Sequence, residues 1–345
     1  MAGVADTYKD PVRIAVIGGT GIQSLPHFTH VATLTPSTPW GAPSSPISIL
    51  HHPSPNAGHA DIPIAFLSRH GLHHELAPHE VPSRANIAAL RSLGVRTVIA
   101  FSAVGSLQED VRPRDFVVPD QVIDRTKGVR PWTFFEKGMV GHVGFADPFD
   151  EALRGVVKRV AGEALVHHHE DDGKTPQEAI AETTLAEQGP RLHGDGTLIC
   201  MEGPQFSTRA ESRLYRSWGG TVINMSALPE AKLAREAEMA YSMICMATDY
   251  DCWRRDVVPG SGDGGEGNED VTVEVVMGHM KANANNARRV VARVLDELSK
   301  EAHADLVQAR HLEGSMRFAG GMTAAAGRGA EALEKLAWLF PGYWD

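Results

Sequence analysis

The sequence predicts an α/β protein with a mixed, mostly parallel central sheet flanked by helices. Three observations lead there. Apolar stretches of strand length recur along the 345 residues, and amphipathic helical stretches sit between several of them. Hydrophobic residues make up 42% of the chain, enough to bury a sizeable core.

The strand candidates are residues 13–17, 47–50, 62–67, 95–101, 116–118, 197–201, 221–224 and 241–247. Each is a short apolar run bounded by polar or turn-forming residues. The helical stretch 83–93 carries Ile87, Ala88, Leu90 and Leu93 on one face, and 149–166 carries Leu153, Val156, Val157 and Val160. The helix over 208–218 opens on Thr208 with Glu211 three residues on, a capping box. Pro229 suits the first turn of a helix over 228–239, since a proline there forfeits no helical hydrogen bond. Helices also cover 271 to about 303, and about 329–338.

Composition narrows the function. The net charge is −10 and the pI about 5.9, which argues against a nucleic-acid or anionic-membrane surface. No apolar run is long enough to span a bilayer, and the first 13 residues lack the apolar region of a secretory signal. Cys200, Cys245 and Cys252 have neither metal-ligand nor disulfide-framework spacing and fit a reducing compartment. Residues 168–190 (polar) and 259–270 (glycine-rich, acidic) read as mobile inserts, the second as a lid between Asp251 and Val273. Histidine pairs at His51–His52 and His73–His74 and the triplet His167–His169 raise a metal reading. Adjacent residues in a polar loop rarely converge on one ion, and no spaced cysteine or histidine motif accompanies them.

The chemistry-bearing motifs follow strands. IAVIGGTG (14–21) ends a strand in a glycine turn whose N–H groups, with the Thr20 hydroxyl, form an anion site; a plain tight turn fits the same residues. The third glycine of a dinucleotide fingerprint would fall at Ser24, so a phosphate-sized anion fits better than a dinucleotide. Arg69 follows a buried strand and can grip an oxyanion with two N–H groups, His70 adding another donor. The alternative is a surface ion pair for Arg69, with His70 capping a loop. FSAVGS (101–106) reads as a third small-residue turn, and such turns at strand ends can meet around one ligand. Phe206, Met225 and Ser226 fall where strand ends lead into helices; packing is the default for the first two. Asp249 and Asp251 close another strand, and alternation would set both on one side. One ionised and one protonated carboxyl match the acceptor and donor on the edge of a 6-aminopurine; a turn or helix cap built from aspartates is the alternative.

Taken in order, GGTG, RHG-x-x-H, SAVGS, EGPQFSTRAE, NMSALPE and ATDYDCW resemble the trimeric purine nucleoside phosphorylases, specifically the branch acting on 5′-methylthioadenosine. The resemblance runs from Arg13 to about Val294, then weakens. The two inserts depart from it, as does Pro82-Ser83, where relatives more often carry Asn-Tyr. It implies a single domain over 11–345 after a flexible 1–10, and phosphorolysis to adenine and 5-methylthioribose 1-phosphate in methionine and purine salvage. It implies phosphate contacts from Thr20, Arg69, His70, Ser102, Ala103 and Ser226. Sugar and base contacts would come from Phe206, Met225, Asp249 and Asp251, with Asp249 the catalytic acid. The methylthio pocket would use Val273, Val276 and Met277, completed from a neighbouring subunit by His142 and a C-terminal apolar residue such as Leu339. A homotrimer, a cytoplasmic and nuclear location and phosphate as co-substrate follow, with no metal or organic cofactor. A 6-oxopurine nucleoside phosphorylase is the nearest rival, although such relatives carry asparagine where Asp249 stands and histidine near Val273. A non-catalytic nucleotide-binding module would need neither an acid beside the base nor a phosphate clamp. On this reading Arg69→Ala would weaken phosphate use and leave folding nearly intact.

Overall fold

The computed structural model describes residues 5–19, 22, 25, 28–53, 61–166, 189–254 and 273–344. In chain order its elements are β1 (Ile14–Gly18), β2 (Thr29–Leu34), β3 (Ile47–His52), β4 (Ile62–Ser68), α1 (Ser83–Ser92), β5 (Thr97–Ser106), β6 (Phe116–Val117) and β7 (Gln121–Asp124). Then come α2 (Glu151–Val166), β8 (Leu192–His193), β9 (Thr197–Cys200), α3 (Arg209–Ser217), β10 (Gly220–Asn224), α4 (Glu230–Glu236) and β11 (Ala240–Asp249). The C-terminal third holds α5 (Val273–Leu298), α6 (Ala304–Val307), α7 (Ser315–Ala319) and α8 (Ala330–Leu339).

The strands form one sheet in the order β2-β3-β4-β1-β5-β10-β9-β7, with β11 pairing β5 and β6, and β8 pairing β6. The ladders β4/β1, β1/β5 and β5/β11 are parallel, as are β10/β9 and β7/β9; β2/β3/β4, β5/β10 and β11/β6 are antiparallel. The expected mixed, mostly parallel sheet is present. Successive residues of a strand point to opposite faces, and β1 shows this directly. Ala15 and Ile17 join a core with α1, α4 and α8, whereas Ile14 and Val16 join a second core with α2 and α5. All ten residues of β11 are buried, as a strand covered on both faces must be.

Three strands escaped the sequence reading. β2 is half-exposed, all four residues of β7 are only partly buried, and β8 spans two residues, so none shows a strong apolar run. The predicted capping box is made in both directions: Thr208 accepts from the Glu211 N–H, and Glu211 accepts from the Thr208 N–H. α4 is shorter than predicted. Glu238 adopts φ +54, and the Met239 N–H returns to the Ala234 carbonyl, which ends the helix and feeds β11. The third small-residue turn is a correction, because residues 101–106 continue β5. β11 pairs with β5 as far as Gly105, and β10 clasps Gly105 and Ser106 from the other side.

From Ala5 onward the N-terminal stretch makes contacts: its N–H donates to Val31 and its carbonyl accepts from Thr33. Thr20 and Gly21, residues 1–4, 168–188 and 259–270, and the side chains of Val273, Val276 and Met277 lie outside the described residues. Among the described residues no helix is long and apolar enough to cross a membrane.

Candidate active site

The sheet opens in its middle. β1 pairs with β5 only through Ala100, and β10 pairs with β5 only from Gly105 onward. Between those ladders, this edge of β5 is left to side chains. Arg69, just past the end of β4, fills part of the gap: Nη1 donates to the Phe101 carbonyl at 2.7 Å. Gly19, just past β1, lies against the same pair. A Cβ there would stand 2.6 Å from the Phe101 oxygen and 2.7 Å from Arg69 Nη1, so only glycine fits.

Arg69 is 2% exposed and is not a surface group. Its Nε and Nη2 donate to the two oxygens of Glu230, both at 2.8 Å. Tyr241 donates to the same carboxylate at 2.7 Å. Burial opposes the Arg69 charge, but Glu230 outweighs it and holds the pKa above its ordinary value. A guanidinium has five N–H groups; three are spent here, leaving two uncommitted among the described residues.

His70 is also buried. Its Nδ1 lies 2.9 Å from the Leu76 carbonyl, which can only accept, so Nδ1 carries the proton. Burial, reinforced by Arg69, lowers its pKa to about 4. Neutral His70 therefore offers Nε2 as an acceptor, where the sequence reading expected a donor.

The antiparallel register brings Ser226 opposite Ser102, and their hydroxyls are 2.9 Å apart. Asn224 ties them together, its Nδ2 donating to Ser102 Oγ at 3.0 Å and Ser226 Oγ at 3.4 Å. Sequence reasoning passed over Asn224 and Glu230 although both stand inside the NMSALPE motif. A polar residue ending a buried strand was the available signal.

Three residues beyond Ser102, β5 meets the acid pair. At Gly105 a Cβ would stand 3.1 Å from Asp249 Oδ1 and 3.2 Å from Asp251 Cβ. The two aspartates are brought together by a turn, not by strand alternation as expected. β11 ends at Asp249, Asp251 adopts φ +49, and the Asp251 N–H donates to Asp249 Oδ1 at 2.8 Å. Thr248 donates to Asp249 Oδ2 at 2.7 Å, and Ser212 donates to Asp251. Burial raises the pKa of Asp249, opposed by these donors. Burial pushes Asp251 up to about 6, with the Asp249 charge adding to it.

Met225 follows Asn224 and is partly exposed, its sulfur beside Gly203. The Met225 carbonyl accepts from Arg130 Nη1 at 2.7 Å. Arg130 also donates to the carbonyls of Leu228, Met201 and Glu202, stapling the ends of β9 and β10. It sits in an irregular loop with no pattern to announce it. Phe206 is 50% exposed and is not enclosed within this chain.

His142 is exposed too, its N–H donating to the Ala319 carbonyl at 2.9 Å. Leu339 requires a correction: it is 4% exposed within the chain's own core and is not free to reach a neighbour. The exposed apolar residues flanking His142 are Val140, Phe318 and Met322, with Val140 linked to Thr323 by a 2.8 Å hydrogen bond. The histidine pairs serve separate contacts: His51 meets Tyr8, His52 meets Asp296, and His74 stacks on His70.

A family model described as the phosphorylase superfamily matches residues 13–296. Over 345 residues the chain is 66% identical to an S-methyl-5′-thioadenosine phosphorylase of Phaeosphaeria nodorum, covering 100% of this chain and 91% of that protein. It is similar in structure to a methylthioadenosine phosphorylase sourced from an antarctic soil metagenomic library, with TM-score 0.75 and 35% identity over 96% of this chain and 100% of that one. The methylthioadenosine phosphorylase from Schistosoma mansoni in complex with adenine gives TM-score 0.73 and 29% identity over 90% and 99%.

Proposed function

Since this chain belongs to the phosphorylase superfamily and, within it, to the S-methyl-5′-thioadenosine phosphorylases, we propose that it splits 5′-methylthioadenosine with phosphate into adenine and 5-methylthioribose 1-phosphate. One observation carries the reading. A single strand, β5, sets Ser102 among the anion-facing groups and Gly105 against the acid pair. Three residues of strand separate them by roughly 10 Å, a span suited to a sugar between phosphate and base.

The C1′–N9 bond breaks as a phosphate oxygen bonds to C1′. Arg69, Ser102, Ser226 and the Ala103 backbone hold that phosphate below the sugar, with Thr20 assigned by resemblance. Charge builds on the departing purine, and a protonated Asp249 delivers its proton to nitrogen-7. Ionised Asp251 accepts from the 6-amino group. The scheme places the enzyme in methionine and purine salvage, with the cytoplasmic and nuclear location expected of its family. It calls on no metal or organic cofactor. Turnover of methylthioadenosine with and without phosphate tests it; adenine release at an equal rate in phosphate-free buffer would refute phosphorolysis.

His70 adds a proton to the phosphate step. Neutral in the free protein, it can donate from Nε2 only after gaining a proton, which a bound dianion would favour. Binding heats for phosphate are expected to differ between buffers of unlike ionisation enthalpy, and His70→Gln should remove part of that difference. Phosphate's own ionisation is common to both proteins. An identical difference in the variant would show that His70 stays neutral.

The assembly is proposed to be a homotrimer with shared sites. Phe318 at 84% exposure and Met322 at 61% flank His142 and suit a buried contact. They replace Leu339 as the C-terminal residues that complete a neighbour's methylthio pocket, beside Val273, Val276 and Met277. Sedimentation is expected to show a trimer, and Phe318→Glu to yield monomers with sharply raised KM for methylthioadenosine. A fully active monomer would overturn the shared site.

A further inference from the structure

At the opposite edge of the sheet from the candidate active site lies a cavity of about 660 Å³, within the range of small-molecule sites. Arg13 immediately precedes β1 and Arg96 immediately precedes β5, and these strands run parallel. Both guanidinium groups therefore stand at strand starts, whereas the active-site groups stand where β1 ends. The five residues of β1 separate the two edges by roughly 16 Å. Arg91, in the last turn of α1, joins Arg13 and Arg96 in the lining.

The charge balance is unusual for a chain of net charge −10. Among the described residues, none of these three arginines donates a hydrogen bond to a carboxylate. Arg13 donates to the Gly94 carbonyl and Arg96 to the Val95 carbonyl, both at 3.1 Å. Arg91 Nε is buried without a partner, and its Nη2 stands 3.9 Å from Glu238. Glu238 is already engaged by the Met316 N–H and the Tyr343 hydroxyl, each at 2.8 Å. Arg310, at the mouth, is balanced by Asp305 and Glu313. The three cations thus face two lining carboxylates that are both already engaged, Glu238 by its two donors and Glu313 by Arg310. Burial, with repulsion from Arg13 added, lowers the pKa of Arg96 against the opposing pull of Glu238 and Glu313. Trp338 and Tyr343 supply aromatic wall beside them.

We propose that this cavity is a second anion site, which takes a small phosphorylated ligand independently of the active site. Guanidinium groups with unspent N–H donors recognise phosphate oxygens by charge-assisted hydrogen bonds. The probes are inorganic pyrophosphate and ATP, titrated calorimetrically into the full chain at constant ionic strength. Both are expected to bind. Arg13→Gln with Arg96→Gln should weaken them at least 100-fold, about 10-fold or more for each charge-assisted bond. Arg310→Glu, at an exposed position that does not threaten folding, should weaken them several-fold by reversing charge at the mouth. Ser102→Ala with Ser226→Ala, which strips hydroxyls from the active site, should leave the binding unchanged. Tighter binding of ATP than of pyrophosphate, lost in Trp338→Ala, identifies a nucleotide as the occupant; equal binding identifies the phosphate groups alone. No binding to the native chain, unaltered binding in the folded arginine variants, or loss of binding in the serine variant would each overturn the proposal.

Discussion

Arg69→Ala is expected to lower stability by about 3–5 kcal/mol and, in the fraction that folds, to raise the KM for phosphate roughly 10- to 100-fold. The sequence alone suggested that folding would survive almost untouched, because Arg69 reads there as a ligand for phosphate with no partner inside the chain. The structure reverses that. Arg69 is buried, and its removal leaves the Glu230 carboxylate, among the described residues, with only the Tyr241 hydroxyl as side-chain donor. Leaving one partner of a buried ion pair uncompensated costs about 3–5 kcal/mol. The two effects can be separated. Arg69→Ala combined with Glu230→Ala removes both partners and should recover much of the stability, as read by thermal unfolding. Phosphate use should stay impaired, because the two spare guanidinium N–H groups are still missing. If the double variant regains ordinary phosphate KM, Arg69 holds the fold and does not hold the substrate.

Asp249→Asn is expected to cut kcat for methylthioadenosine by about 10²- to 10⁴-fold, the usual worth of a positioned acid. The loss should be smaller for methylthioinosine. An amide presents a fixed donor and a fixed acceptor at every pH, which suits a 6-oxopurine, whereas a carboxylic acid can donate only once. The acid must be protonated to act, so wild-type kcat should fall as pH rises through its pKa, and the asparagine variant should lack that alkaline limb. The hydrogen bonds sharpen the experiment. Both Asp249 oxygens accept hydrogen bonds that favour its charge, whereas the free protein pushes Asp251 up to about 6. Substrate must therefore favour the protonated form of Asp249 and the ionised form of Asp251. Asp251→Asn should weaken selection of the 6-amino group and keep the limb. If Asp251→Asn removes the limb and Asp249→Asn leaves it intact, the two roles are exchanged.

The same pair makes a stability prediction. The folded pKa of Asp251 lies above its unfolded value of 3.8. Its favourable contribution is therefore complete below pH 3.8 and lost as pH rises through about 6. Asp251→Asn should then gain on the wild type by up to about 3 kcal/mol at pH 8, with the advantage fading toward pH 4.

By itself the sequence determined what local physics encodes. Strands such as β1 and β11 announce themselves because both of their faces must be apolar. The capping box at Thr208 is legible because its two hydrogen bonds lie within one helical turn. The order of motifs placed Arg69, Ser102, Ser226, Asp249 and Asp251 in one family, and Arg69, Ser226 and Asp249 at or just past strand ends. Only the tertiary structure decided what each of them does there. Glu230, 161 residues from Arg69 in sequence, supplies the buried partner that an anion clamp read from the sequence did not include. The antiparallel register of β10 made Ser102 and Ser226 neighbours across 124 residues, with Asn224 between them. Packing of the last helix against α1 claimed Leu339 for the chain's own core and left Phe318 and Met322 outside. Burial, hydrogen-bond partners and the protonation they impose depend on what arrives from distant parts of the chain, and no local window of sequence contains that information.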